Sequence, residues 1–257
     1  MNIDLTRQVA IVTGAGGGIG RAVSVMLGQA GASVLAVDID EASARQTADL
    51  VVGAGAIAHA VRADVSRAED VANYVQVALR SFGTIDIFMN NAGVQGPVKP
   101  IVECDDDAFD AVMAVNLRGV FLGLKHVLPV MVERGRGAVV NTASLASFIG
   151  VRNLGAYGAS KHAVMGLTRT AALEVARAGV RVNAVCPGPV DTPLMREIES
   201  GQVGEDIEAL RRRRAASIPQ GRYATPEDVA GVMVFLASEL AAHVVGQGIH
   251  VNGGSYA

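Results

Sequence analysis

Short runs rich in Val, Ile and Ala alternate along the chain with longer segments whose apolar residues recur at the helical period. The runs predict strands at Val9–Thr13, Ser33–Val37, His59–Ala63, Ile85–Asn90, Gly137–Thr142, Arg181–Cys186 and Gly248–Val251. The segments between them predict helices near 19–30, 41–52, 67–82, 106–134, 156–178 and 226–238, most of them following a start signal such as Ser66 or Asp105. Strands that are apolar on both faces and separated by helices describe a parallel sheet covered on both sides. The expected architecture is α/β, a doubly wound seven-stranded Rossmann fold.

One stretch breaks the alternation. Residues 188–222 are polar, contain glycine and exceed the usual length of a connection, which makes them a candidate lid over a site. No internal repeat, low-complexity tract or linker divides the chain, so residues 1–257 are expected to form one dinucleotide-binding and catalytic domain.

Composition narrows the class. Half of the 257 residues are apolar, there are 30 glycines and no tryptophan, which suits tight strand-to-helix turns. A formal charge of −3 gives no general reason to expect nucleic acid or an anionic membrane as partner. Cys104 and Cys186 are too few for a disulfide framework and lack metal-site spacing, so a reducing, cytoplasmic compartment is expected, with no metal. The start MNIDLTRQVA lacks the pattern of a signal peptide, and no apolar run approaches the length of a membrane span.

Candidate chemistry begins where the first strand meets TGAGGGIG, Thr13 to Gly20, and a helix follows. Glycines there let backbone approach a pyrophosphate, while the helix N-terminus offers amide donors and partial positive charge. Gly14, Gly18 and Gly20 do not match G-x-G-x-x-G, because Ile19 occupies its last glycine. Asp38 closes the second strand. A carboxylate there can accept hydrogen bonds from both ribose hydroxyls and repels a 2′-phosphate, and Gly17 offers no basic group to hold one, so NAD is expected over NADP. Asp64 and Val65 end the third strand and Asn90-Asn91-Ala92-Gly93 the fourth, on the edge where such sheets bind ligands. Asp38 and Asp64 also read as strand-end caps.

The run AYGASKHAV places Tyr157 and Lys161 four residues apart, on one face of a helix. An ammonium beside a phenol favours the phenolate and lowers its pKa, a way to exchange protons with an alcohol. Any amphipathic helix can carry such a pair, so the pair acquires meaning only in company.

Taken together these residues closely resemble the short-chain dehydrogenases/reductases. The family pattern T-G-x-x-x-G-x-G is met by Thr13 to Gly20, N-N-A-G by Asn90 to Gly93, the helix Asn by Asn116, the Ser after the fifth strand by Ser144, Y-x-x-x-K by Tyr157 to Lys161, and the P-G turn with its Thr by Pro187 to Pro193. The resemblance covers essentially the whole chain in the right order. It implies that Tyr157 exchanges a proton with the substrate oxygen while hydride passes between substrate carbon and nicotinamide, and that Lys161 lowers the Tyr157 pKa and bonds the nicotinamide ribose. Ser144 would hold the substrate oxygen, and Asn116 a water linking Lys161 to solvent. Gly14, Gly17, Gly18, Ile19, Gly20, Asp38, Ile39, Asp64, Val65, Asn91, Ala92, Gly93, Tyr157, Lys161, Pro187, Gly188, Val190 and Thr192 form the expected cofactor site, Thr192 holding the carboxamide with help from the Val190 backbone.

Other features read as structural. His162 points away from Lys161, GASKH lacks the last glycine of a serine-hydrolase elbow, and Arg211–Arg214 reads as a solvated, ion-paired helix face, Glu208 lying four before Arg212. One of these arginines could instead meet an anionic group of the substrate. Cys186 reads as a small buried apolar residue. The expected function is interconversion of a secondary alcohol and a ketone, apolar or cyclic, in a pocket of Val94, Gln95, Leu145, Ala146, Val151, Leu154, Pro187, Met195 and Ile198. The alternatives are a 3-oxoacyl-carrier-protein reductase and a nucleotide-sensing protein without turnover. The resemblance also implies a homotetramer.

Overall fold

The computed structural model describes residues 3–200 and 206–256, apart from the side chains of Glu197, Ile198 and Ser200. They form a seven-stranded, wholly parallel sheet in the order β3-β2-β1-β4-β5-β6-β7, from β1 (Val9–Thr13), β2 (Ser33–Asp38), β3 (Ala58–Arg62), β4 (Ile87–Asn90), β5 (Gly137–Thr142), β6 (Val180–Pro187) and β7 (Gly248–Val251). The order reverses between β1 and β4, which opens a crevice at the carboxyl ends of these neighbours.

Strand alternation supplies two cores. Ala10, Val12, Val34 and Ala36 point to the side covered by α1 (Gly18–Gln29), α2 (Glu41–Gly53) and α9 (Pro226–Ala237). Ile11, Leu35 and Val37 point to the side covered by α3 (Ala68–Phe82), α5 (Gly119–Glu133) and α6 (Gly155–Val175). All five residues of β1 are buried, as a strand sandwiched on both faces must be.

Some boundaries differ from the sequence reading, with local causes. β4 begins at Ile87 and not Ile85 because the Asp86 carboxylate takes the Val9 amide at 3.0 Å. β3 starts and ends one residue early, and β6 extends to Val180 and Pro187. Ser66 caps no helix, since its amide and hydroxyl both donate to Asp64. Asp105 stands at the N-cap of α4 (Asp106–Met113) without a side-chain cap and pairs instead with Lys99 at 3.2 Å.

The helix expected at 106–134 is interrupted. Between α4 and α5 lies a π-helical turn, Ala114–Arg118, which carries one residue more than an α turn would. The span Asp106–Glu133 is, contrary to expectation, long and apolar enough to cross a membrane by length and composition. That apolarity serves the core: Val112, Val120, Leu124, Val127 and Met131 are buried. Within the irregular stretch 188–222, the structure forms α7 (Pro193–Ser200) and α8 (Ile207–Ser217); residues 201–205 of this stretch lie outside the described residues.

Candidate active site

The glycine turn is built by close contacts. Gly14 and Gly18 adopt positive φ, +64° and +51°. A Cβ on Gly14 would stand 2.9 Å from Ala92 Cα, and one on Gly20 only 1.9 Å from the Gly14 carbonyl oxygen. Gly20 is therefore a packing residue beneath the turn. Gly17, by contrast, faces open space. It caps α1 without any side-chain hydrogen bond, leaving the helix-end amides to face outward.

Asp38 closes this end. Its carboxylate accepts from Gly16 N at 2.8 Å and Asp40 N at 3.0 Å and lines the crevice. Asn91 ties three strand ends together: Nδ2 donates to the Thr13 carbonyl at 3.0 Å and Oδ1 accepts from the Thr142 hydroxyl at 3.0 Å. The Thr13 hydroxyl in turn accepts from the amides of Asn91 and Ala92.

Across the crevice, Ser144 begins a 3-10 turn, its hydroxyl accepting from Ala146 N at 3.1 Å. Tyr157 and Lys161 sit one turn apart on α6, the Lys161 Nζ 5.6 Å from the centroid of the Tyr157 ring. Lys161 is buried and donates to the Thr142 carbonyl at 2.8 Å. The titration of this pair departs from the sequence reading. Burial pushes the Tyr157 phenol up and outweighs the Ser144 hydroxyl hydrogen bond that pulls it down. Burial also draws the Lys161 ammonium down to about 8. In this state desolvation exceeds the attraction that was expected to favour the phenolate.

Asn116 lies on the π turn, fully buried. Its Oδ1 accepts from Val94 N at 2.8 Å, and its Nδ2 donates to the Val94 carbonyl at 2.7 Å and the Ser160 hydroxyl at 3.1 Å. Its amide thus fixes the loop after β4.

One cavity of about 320 Å³ gathers Gly14, Gly17, Gly18, Ile19, Asp38, Asn91, Ala92, Gly93, Ser144, Tyr157, Lys161, Pro187, Gly188, Val190 and Thr192. Four other cofactor candidates are not among the residues lining this cavity: Gly20 underlies it, Ile39 is exposed, Asp64 accepts from Ser66 through one carboxylate oxygen, and Val65 is buried against Gly119. Thr142, Ala143, Pro193 and Leu194 also line the cavity. Sequence reading passed over them, although Thr142 and Ala143 directly precede Ser144.

The far end of the crevice is largely apolar, with Arg152 and Arg214 among the walls of an adjoining cavity. Val94, Gln95, Pro187 and Met195 line the main cavity, and Gln95 and Met195 are shared with an adjoining one of about 250 Å³ that also holds Val151 and Leu154. Leu145 and Ala146 line neither, and the Ile198 side chain lies outside the described residues.

The arginine run is not a solvated face throughout. Glu199, fully buried, accepts from Arg211 at 2.7 Å, Arg214 at 3.3 Å and the Tyr223 hydroxyl at 2.7 Å. Arg211 also reaches Asp191 at 2.9 Å, whereas Arg212 pairs with Asp206 at 3.9 Å on the exposed side. Burial first, then the Glu199 carboxylate, push the Tyr223 hydroxyl up to about 12. Cys186 is buried beside Met165, its thiol pushed up to about 12 by burial.

The chain's relatives agree with this geometry. A family model described as enoyl-(acyl carrier protein) reductase matches residues 14–256. The chain is 38% identical over 253 residues to cyclohexanol dehydrogenase of Acinetobacter sp. (strain SE19), covering 98% of this chain and 96% of that protein. It is 39% identical over 257 residues to levodione reductase of Leifsonia aquatica, covering 98% and 95%. A crystal structure of levodione reductase superposes with a TM-score of 0.95 at 37% identity, covering 97% of this chain and 98% of that one. A crystal structure of NAD⁺-bound xylitol dehydrogenase gives 0.93 at 34% identity, covering 97% and 99%. With a parallel seven-stranded sheet, a glycine turn at its switch point and relatives matched nearly end to end, the chain belongs to the short-chain dehydrogenase/reductase family of nicotinamide-dependent oxidoreductases.

Proposed function

We propose that the protein is an NAD(H)-dependent dehydrogenase that interconverts a compact or cyclic secondary alcohol and its ketone. The observation that carries this reading is the convergence of Ser144, Tyr157 and Lys161 on one cavity whose far end is apolar. The crevice suits a dinucleotide: Gly17 leaves room, the α1 end is uncapped by side chains, and the Asp38 carboxylate stands where a 2′-phosphate would be repelled. The nicotinamide, when bound, supplies the hydride acceptor or donor.

In oxidation, the Tyr157 oxygen takes the proton of the substrate hydroxyl as the carbon gives up its hydride and the C=O bond forms. Ser144 holds the substrate oxygen by hydrogen bonding, strongest as negative charge develops there. Lys161, anchored on the Thr142 carbonyl, sets the charge beside Tyr157. Cyclohexanol and levodione, the ring compounds in the relatives' names, support a cyclic substrate. Carrier-protein docking is less well supported, because Arg211 and Arg214 are engaged by Glu199 rather than displayed to an acidic partner.

Residues 1–257 act as one catalytic unit on this reading, with 188–222 as its lid, working as a homotetramer in the reducing cytoplasm. Free thiols at Cys104 and Cys186 suit that compartment, and light scattering at monomer mass would refute the tetramer. The activity test is nicotinamide absorbance with NAD⁺ and NADP⁺ against cyclic, aryl-alkyl and hydroxyacyl secondary alcohols. Tyr157→Phe is expected to lose roughly 10²–10⁴-fold in kcat while still binding cofactor. Full activity in that variant would overturn the reading, and NADP⁺ preference would favour an acyl-carrier-protein reductase.

A further inference from the structure

Gln95 is the unexplained polar group of the site. It is only 9% exposed, and its Nε2 finds no hydrogen-bond partner among the described residues. A buried donor left alone costs about 1–3 kcal/mol, so such a group persists where something else satisfies it. Its position is fixed from both sides. The preceding Val94 has its N–H and C=O held by the Asn116 amide at 2.8 and 2.7 Å. The following Gly96 adopts φ +74°, where a Cβ would stand 2.3 Å from Val112 Cγ2. The backbone that carries Gln95 is thus pinned against the α4 side.

The residue also stands at a junction. Gln95 lines the cavity that contains Ser144, Tyr157 and Lys161 and the adjoining one formed by Val98, Val151, Leu154, Pro189 and Met195. Among the described residues, the ionisable ones lining the adjoining cavity are Arg152 and Arg214. Arg214 is engaged by Glu199, which leaves Arg152 and the Gln95 amide as the polar points of an otherwise apolar space; donors so placed favour an oxygen lone pair over a hydroxyl proton or an ammonium. The reacting oxygen belongs to Tyr157 and Ser144, so the lone pair must come from elsewhere on the substrate.

We propose that Gln95 is a specificity-determining residue that donates its amide hydrogen to a second, sp² oxygen of the substrate, a carbonyl or carboxylate carried across a compact apolar ring or chain from the reacting carbon. This rests on the dehydrogenase reading above and deepens it: the substrate is a hydroxy-ketone or hydroxy-acid, or the corresponding dicarbonyl, rather than a plain hydrocarbon alcohol. A site built to hydrogen-bond such a group discriminates against the analogue lacking it, because the buried amide is then left unpaired.

The test compares 4-hydroxycyclohexanone, 4-hydroxycyclohexanecarboxylate and 4-methylcyclohexanol as substrates of the wild type, Gln95→Leu and Gln95→Glu, the last keeping the shape while removing the donor. The expected result is a wild-type preference in kcat/KM for the two oxygen-bearing alcohols over the methyl analogue. Both variants should collapse that ratio by roughly 10-fold for the ketone and up to about 100-fold for the carboxylate. Arg152→Ala separates the two oxygen sources: it lowers kcat/KM for the carboxylate alone if the anion is the natural group, and for neither if the ketone is. An unchanged ratio in both Gln95 variants would overturn the proposal. Absence of turnover with all three alcohols would count against the dehydrogenase reading alone. The Gln95 contact would then be judged by thermal shift of NADH-saturated protein, where 1,4-cyclohexanedione should stabilise the wild type more than Gln95→Leu, and equal stabilisation would overturn it.

Discussion

The glycine turn and the segment 188–222 face each other across one crevice and are held by opposite means. The turn is fixed by backbone and sterics: Gly14 against Ala92, Gly20 under the Gly14 carbonyl, and Asp38 on the Gly16 amide. The segment opposite is fixed by long charged side chains, with the buried Glu199 gathering Arg211, Arg214 and Tyr223. Steric constraint is local; a buried ion cluster draws together residues far apart in the chain and depends on each partner's charge. A site assembled from both has one wall that cannot yield and one that can.

The comparison can be broken most severely at Gly20. Gly20→Ala drives a methyl into the Gly14 carbonyl and is expected to cost about 3 kcal/mol or more, lowering Tm by roughly 10 °C and abolishing cofactor binding. Calorimetry and nicotinamide titration would measure both. On the opposite wall, Glu199→Gln takes the buried carboxylate from Arg214 and leaves Arg211 with Asp191 alone. The expected outcome is a rise of roughly 10-fold in KM for the alcohol with cofactor affinity little changed, because local order of the segment is lost before global stability. Asp38→Asn sharpens the contrast further: removing the charge should shift the NAD⁺/NADP⁺ preference by about 10-fold toward NADP⁺, about 1.4 kcal/mol, read from the ratio of kcat/KM values.

Proton chemistry gives a graded effect. The Lys161 ammonium titrates near 8 in the folded protein against an ordinary value of 10.5, so between these limits the unfolded chain holds a proton that the folded chain has released. Stability contributed by this group therefore rises with pH across that window. The Tyr157 phenol is shifted upward, so alcohol oxidation, which needs it ionised, should increase through the alkaline range, while ketone reduction, which needs it protonated, falls. The two apparent pKa values in a kcat/KM profile belong to the pair, and a flat profile would refute the assignment. The smallest effect is expected at Gly17→Ala, whose methyl meets nothing within 4 Å; Tm should move by no more than about 2 °C.

What could be read from sequence follows the same division. Gly14, Asp38, Ser144, Tyr157 and Lys161 were legible because their placement depends on a strand end, a tight turn or one turn of helix, all encoded within a few residues. Glu199 was not, because its partners lie 12 and 15 residues away on another helix, and a run of four arginines satisfies every rule for a solvated surface. Asp64 read from sequence as a strand-end residue; that one of its carboxylate oxygens also takes the Ser66 amide and hydroxyl is seen only in the structure. The Tyr157 titration depended on depth of burial, a quantity that spacing does not carry. Gln95 drew notice only as a wall residue; its lack of a partner is a three-dimensional fact.

The π-helical turn at Ala114–Arg118 makes chain length here as informative as residue identity. Its surplus residue offsets the phase of everything downstream by about 100° of helix rotation. Deleting one residue would let α4 and α5 merge into a continuous α-helix, but would turn the Val120, Leu124 and Val127 face of α5 away from the sheet or swing Asn116 off Val94. Substitutions along this helix can be accommodated one by one, whereas its count of residues is shared between the core behind it and the loop that carries Gln95. A natural variant one residue shorter here would have to rebuild both.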